Sequence, residues 1–281
     1  WEEIAMRKVR KRSQVSYIAN PDFVGKDFRA YVWNNVWGGG SEDLAYRLAN
    51  AGYKVVLSAV TNYYFDLAYQ MDTAEPGLYW GSYVDTDKPF YFSPFDYYKT
   101  AKEAVDGSPL NPSVLKNKER LTELGKKNIV GIQSQLWSEK IYSPQSMQYM
   151  LLPKLIAYAE RAWSAEPDWS KEVDNTKSWQ LYLKDWSRFA NVVGKRELNR
   201  LTYYGGGFNF RVPPPGAVIT KGTIHANTQF PGLTIRYTTN GDEPSLNSKV
   251  YQQAIPEKGD IKLKAFTGNG AASRTIELKN P

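Results

Sequence analysis

Apolar residues cluster in three short runs in the first half of the chain, at residues 28–33, 54–58 and 128–133. The last two are β-branched (Val55, Val56, Ile129, Val130), and all three are predicted as strands. Between the first two, Gly38, Gly39 and Gly40 break the pattern. Ser41, Glu42 and Asp43 then give a helix start, and Gly52 gives a stop after Leu44 to Ala51. Strand, helix, strand at this spacing is a βαβ unit. The aromatic stretch from Tyr63 to Tyr98 has little periodicity and reads as a long functional loop. Helices are predicted over 98–105 and 114–126. Another starts at Ser143-Pro144 with a stripe of Met147, Met150, Leu151, Leu155 and Ala159, and a further one spans about 179–193. Residues 1–16 alternate apolar and basic positions at roughly helical spacing and read as the tail of a helical element.

The pattern changes at Gly205, and Pro213, Pro214 and Pro215 mark a linker over 205–216. Residues 217–281 then show short β runs, at 234–238, 249–251 and 261–266, separated by Asn240-Gly241, Gly259 and Gly268. This predicts a small antiparallel sandwich. The first domain, 1–204, shows three strands between helices and long loops. A closed (β/α)8 barrel needs eight strands and about 250 residues. The domain is therefore either an open three-stranded α/β layer or a barrel whose first five strands are absent. The chain begins at Trp1 without an initiator Met, so the native N-terminus is expected elsewhere.

Composition adds one outlier. Nine Trp and twenty Tyr among 281 residues exceed what a core of this size requires, and their flat apolar faces with polar edges suit sugar rings as well as packing. The net charge is +7, and the densest basic cluster, Arg7, Lys8, Arg10, Lys11 and Arg12, reads as a solvated helix face rather than a nucleic-acid patch, because no recognition motif follows. The absence of Cys excludes disulfide, zinc-thiolate and thiol-nucleophile chemistry. No apolar run reaches the length of a membrane span, and no metal cluster or phosphate loop is evident, so no cofactor is expected.

Side chains just past the strands are the candidates for chemistry, because parallel α/β architectures place their sites there. They are Trp33, then Tyr64 and Asp66, then Trp137 and Glu139. In both pairs an aromatic and an acid stand two residues apart, which puts them on one side of an extended segment. A flat ring beside a carboxylate can stack on a sugar and accept its hydroxyl protons. Plain packing or surface placement is the competing reading for each.

The runs Tyr31-Val-Trp-Asn-Asn-Val-Trp-Gly38, Ala51-Gly-Tyr-Lys-Val-Val-Leu-Ser58, Asn62-Tyr-Tyr-Phe-Asp66, Gly131-Ile-Gln-Ser-Gln-Leu-Trp-Ser-Glu139 and Ala157-Tyr-Ala-Glu-Arg-Ala-Trp-Ser164 resemble the second half of the glycoside hydrolase family 20 barrel. Phe210-Arg-Val-Pro-Pro-Pro-Gly216 and Ile235-Arg-Tyr-Thr-Thr-Asn-Gly-Asp-Glu-Pro244 resemble the immunoglobulin-like C-terminal domain of bacterial chitobiases. The resemblance implies the C-terminal part of a (β/α)8 TIM barrel followed by an immunoglobulin-like β-sandwich, in an exo-acting β-N-acetylhexosaminidase. It implies that Tyr64 hydrogen-bonds the acetamido oxygen of an N-acetylhexosamine, and that Asp66 and Glu139 accept from sugar hydroxyls. Trp1, Trp33 and Trp137 would wall the pocket, with Trp80 under the next sugar.

The family's mechanism is substrate-assisted, outside the two-carboxylate scheme. Its Asp-Glu pair follows a His-x-Gly motif that this sequence lacks; the only His is His225, and the only Asp-Glu is Asp242-Glu243 in a tail turn. The expected partners are an N-acetylhexosamine oligosaccharide and the N-terminal half of the same enzyme, with a periplasmic, cell-envelope or secreted location. A non-catalytic carbohydrate-binding protein and a purely structural module are the competing functions.

Overall fold

The computed structural model describes residues 2–11 and 14–281, with the side chains of residues 11, 14 and 15 outside that description. The chain divides into two compact units: Trp1–Tyr142 with Lys154–Trp179, and Ser143–Pro153 with Gln180–Pro281. The units part at 142, 153 and 179 and not within the Gly/Pro-rich segment 205–216, whose residues lie inside the second unit.

In the first unit, β1 (Met6–Lys11) and β2 (Gln14–Ala19) form an antiparallel hairpin, where helical spacing was expected. Met6 and Val9 stand three apart, a helical spacing, and it is pairing with β2 that holds the segment extended. Val9, Tyr17 and Ile18 favour the extended form. The basic residues Arg7, Lys8 and Arg10 therefore stand on a ribbon, with Arg7 paired to Asp22; Arg12 lies outside the described residues.

The three apolar runs become β3 (Arg29–Val32), β4 (Lys54–Leu57) and β5 (Ile129–Ile132), parallel and in sequential order. Ala30, Val32, Val55 and Leu57 pack against Leu44, Ala45, Leu48 and Ala49 of helix Leu44–Asn50, giving the core of the unit. The register sets Tyr31, Val56 and Gly131 side by side on the opposite face. A Cβ added to Gly131 would meet nothing within 4 Å. Among the described residues the three strands make an open sheet, not a closed barrel.

Two helix expectations fail. Over residues 97–128 only the 3-10 turns Tyr97–Thr100 and Pro112–Leu115 and the short helix Glu123–Asn128 form. Pro109, Pro112 and Gly107 interrupt helical hydrogen bonding. Ring contacts hold the segment instead: Tyr97 stacks on Tyr46 at 4.2 Å, and the Tyr98 hydroxyl donates to the Glu119 carbonyl at 2.9 Å. The stripe beginning at Met147 is not one helix but two, Pro144–Leu151 and Lys154–Trp163, separated at Pro153. Proline has no N–H to give and clashes with the preceding turn. The start is as predicted, with Ser143 and Ser146 forming a reciprocal cap.

In the second unit the helix Asn175–Val192, whose later residues belong here, continues through a π turn, Val193–Glu197, to Leu201. Gly194 occupies that turn because a Cβ there would come within 2.1 Å of the Pro231 carbonyl oxygen. The β strands are β6 (Gly216–Thr220), β7 (Thr223–Asn227), β8 (Thr234–Thr238), β9 (Lys249–Val250), β10 (Gly259–Phe266) and β11 (Ile276–Asn280). They form a hairpin, β6-β7, and an antiparallel sheet in the order β11-β10-β8-β9. Ile224, Ile235, Ile255, Ile261 and Leu263 fill the core between them.

Candidate carbohydrate site

The C-terminal ends of β3, β4 and β5 are knitted together beyond the strands themselves. Ser58 N–H donates to the Val32 carbonyl at 2.8 Å, Val60 N–H to Trp33 at 2.9 Å, and Gln133 N–H to Leu57 at 2.9 Å. Pairing resumes at Tyr64 and Gln135, where Phe65 N–H reaches the Gln135 carbonyl at 2.7 Å. Beneath this lies a buried amide and hydroxyl network: Asn35 donates to the Thr61 hydroxyl at 2.8 Å, Thr61 to Asn62 at 2.9 Å, and Asn62 to the Lys88 carbonyl at 3.0 Å. Such satisfied networks fix loops in one arrangement.

Four aromatic rings meet at these strand ends. Tyr64 stacks on Trp33 with centroids 6.3 Å apart, and Trp80 and Trp137 stand edge-on to Tyr64 at 6.1 and 6.3 Å. Trp80 is also edge-on to Trp33 at 6.1 Å. Tyr64 is 4% exposed, whereas Trp80 and Trp137 keep 47% and 41% of their surface open. Burial pushes the Tyr64 hydroxyl well above its ordinary pKa, against the opposing hydrogen bond from the Trp137 side chain. Tyr64 is therefore a neutral O–H throughout the physiological range, suited to donating a proton in a hydrogen bond.

Asp66 is 1% exposed. Burial raises its pKa first, and the charge of Glu139 adds to this; the backbone amides of Asp66 and Trp137 and the charge of Lys154 oppose it. Neither carboxylate oxygen has a hydrogen bond of normal geometry from the described residues. Glu139 is exposed on a turn after β5, close enough to act on Asp66 electrostatically. The structure thus brings together Trp33, Tyr64, Asp66, Trp80, Trp137 and Glu139. Trp1 lies outside the described residues.

The segment carrying Tyr64 and Asp66 is held from both sides. Lys154, fully buried, donates to the carbonyls of Phe65 at 3.0 Å and Leu67 at 2.6 Å. Asp66 and Ala68 bond across to Leu78, and Gly77 permits the approach: a Cβ there would come within 2.6 Å of the Ala68 nitrogen.

Sequence reasoning missed Glu2 and Gln135. Glu2 is buried, and burial lifts its carboxyl to about 7, with weaker opposition from backbone amides including that of Trp33; its charge in turn acts on Tyr64. Both amide atoms of Gln135 are buried with no hydrogen-bond partner among the described residues. A glutamate near a chain end and a glutamine in a polar run carry no sequence signal of burial. A cleft of about 750 Å3 runs from Glu2, Trp33 and Asn34 toward Arg47 and Lys118. In the second unit, His225 is exposed and Glu243 is taken up by Lys264 and Thr275, so neither belongs to a catalytic cluster.

Aromatic faces, a neutral phenol and two carboxylates at the ends of parallel strands make a candidate carbohydrate site, and comparison with known proteins gives the chain a family. Residues 1–166 match the model of glycosyl hydrolase family 20, catalytic domain, and residues 197–275 match that of the chitobiase/beta-hexosaminidase C-terminal domain. The chain belongs to glycosyl hydrolase family 20. It is 31% identical over 256 residues to the N,N'-diacetylchitobiase of Vibrio harveyi, covering 85% of this chain and 28% of that protein. A beta-hexosaminidase of Vibrio vulnificus is 29% identical over 273 residues, covering 90% of this chain and 31% of the relative. The chain therefore spans less than a third of the length of these two relatives. A solved GH20 exo beta-N-acetylglucosaminidase from Vibrio harveyi, in complex with N-acetylglucosamine, overlaps 57% of this chain and 21% of its own at 28% identity, with a TM-score of 0.37.

Proposed function

We propose that this chain is the C-terminal part of an exo-acting β-N-acetylhexosaminidase of chitobiase type. On this reading it comprises the last three strands of the (β/α)8 barrel and an immunoglobulin-like tail domain, and the acid and assisting aspartate come from a preceding segment. The observation that carries the reading is the convergence of Trp33, Tyr64, Trp80 and Trp137 beside Asp66 at the ends of three sequential parallel strands. Tyr64 holds the acetamido oxygen of a terminal N-acetylhexosamine in line with the anomeric carbon. Asp66 and Glu139 accept from ring hydroxyls, Trp33 and Trp137 wall the ring, and Trp80 lies under the next sugar. That acetamido oxygen forms a bond to the anomeric carbon as the glycosidic bond breaks, and the departing oxygen takes its proton from the acid. Water then opens the cyclic intermediate with net retention. Holding the nucleophile in line is a gain in effective molarity, which for well-oriented groups is large.

The free space beside Gly131, on the face that Tyr31 and Val56 share, supports a partner segment, since parallel sheets are normally covered on both sides. A periplasmic, cell-envelope or secreted setting is proposed on family grounds alone. The test is hydrolysis of an aryl N-acetyl-β-glucosaminide by this chain, alone and with the preceding half supplied as a separate polypeptide. The expected result is silence alone and turnover on mixing. Turnover by the chain alone would move the acid to Asp66 or Glu139. Sugar binding with no turnover in either case would favour a non-catalytic carbohydrate-binding protein.

A further inference from the structure

The long loop after β4 does more than present Trp80. Tyr79 and Tyr83 line a second hollow of about 520 Å3 with Met71, Trp37, Val105 and Asp106. Its size falls within the range of small-molecule sites. Two loops that build the aromatic cluster also build this hollow: Tyr79 adjoins Trp80, and Trp37 lies four residues past Trp33. Tyr79 and Met71 are largely exposed although both carry large apolar surfaces, whereas Trp37 is anchored against Tyr97.

The polar element of the hollow is fixed. Ala104 N–H donates to the Ser108 carbonyl at 2.8 Å and Gly107 N–H to the Ala104 carbonyl at 3.0 Å, closing a tight turn around Asp106. Asp106 Oδ1 accepts from the Ser108 amide at 3.0 Å and its hydroxyl at 2.6 Å, which orients the carboxylate and leaves Oδ2 without a protein donor among the described residues. The same two bonds hold the carboxyl below its ordinary pKa, so it is an acceptor at neutral pH. Apolar ring faces, a thioether and one oriented acceptor, with no cation in the lining, suit a neutral polyhydroxylated ring and disfavour an anion.

We infer that this hollow is a further sugar subsite, taking a ring farther along a β-linked N-acetylhexosamine oligomer whose terminal ring occupies the Trp33, Tyr64 and Trp137 cluster. The inference rests on the proposed function and names what that reading leaves open, a preference for chain length. Stacking on one or two aromatic faces is worth about fivefold in affinity.

The experiment is titration of this chain with N-acetylglucosamine and its β-1,4-linked di-, tri- and tetrasaccharides, followed by tryptophan fluorescence and by saturation transfer to the individual sugar rings. Affinity is expected to rise about fivefold beyond the disaccharide. Tyr79→Ala and Asp106→Asn are each expected to abolish that rise and leave monosaccharide affinity within twofold. Both side chains are at the surface, and unchanged thermal midpoints would check that the variants fold. An affinity that stops rising at the disaccharide, or a rise that survives both variants, overturns the subsite and leaves the proposed function standing. Failure of the monosaccharide and every oligomer to bind overturns both.

Discussion

The segments that follow β4 and β5 carry the same spacing, an aromatic and an acid two residues apart, yet the structure treats them differently. Tyr64 and Asp66 are buried at 4% and 1% exposure, whereas Trp137 is 41% exposed and Glu139 is on the surface. The first pair is clamped by Lys154 and by the Leu78 pairing; the second rides on a turn. Identical spacing thus yields one rigid, poorly hydrated arm and one accessible arm. The buried arm is fixed by its partners, and the accessible arm keeps the Trp137 ring and the Glu139 carboxylate open to solvent.

The strongest way to break this contrast is to remove the clamp. Lys154→Ala strands the carbonyls of Phe65 and Leu67 and empties a buried volume, and is expected to destabilise the first unit by about 3 kcal/mol. Urea unfolding followed by tryptophan emission would measure it, and an unchanged midpoint would show that the clamp is dispensable. Next in size is the fate of the two acids. Asp66→Asn and Glu139→Gln are each expected to weaken N-acetylglucosamine binding about tenfold or more, as for loss of a charged hydrogen-bond acceptor. Their stabilities should diverge. Asp66→Asn removes a buried charge and should stabilise by about 1 kcal/mol at pH 7, while Glu139→Gln should stay within about 0.5 kcal/mol. Equal stability changes would erase the distinction between the arms.

Glu2, whose charge acts on Tyr64, sharpens the comparison through pH. Its carboxyl is lifted from the ordinary carboxylate range to about 7, so the folded chain holds a proton that the unfolded chain has lost. The stability from this group is present below the unfolded pKa and falls as pH rises through about 7, by roughly 1–3 kcal/mol. Glu2→Gln should flatten that fall, and an identical pH profile in the variant would remove Glu2 from the account. Tyr64→Phe is expected to cost about 1 kcal/mol for the lost hydrogen bond with Trp137, read as a thermal shift of a few degrees. A larger loss would mean that the hydroxyl holds the fold as well as the site.

Strand positions were legible because β-branched runs such as 54–57 have no helical reading, and the candidates Trp33, Tyr64, Asp66, Trp137 and Glu139 stand just past the strands, whereas Trp80 came only from the resemblance. The difference between the two arms was not legible: spacing states which side a residue faces, while burial depends on distant partners such as Lys154. That lysine sits within a run otherwise read as an apolar stripe, where a charged residue is expected at the surface. Residues 6–11 read as helical because Met6 and Val9 stand three apart; the hairpin β1-β2 rests on pairing with residues 14–19, which spacing within one segment does not show. The helix break at Pro153 was readable from the proline but was overridden by the stripe on either side.

Lys154 also gives the molecule a built-in reporter. Its amine has no contact with solvent and is engaged by two carbonyls, so a reagent that acylates lysines can reach it only when the helix Lys154–Trp163 lifts from the Phe65 and Leu67 segment. The rate at which this single amine is labelled, set against that of its exposed neighbours, reads the free energy of local opening at the Tyr64 arm without unfolding the rest of the chain. A ligand gripping that arm should slow the labelling of a residue it never touches.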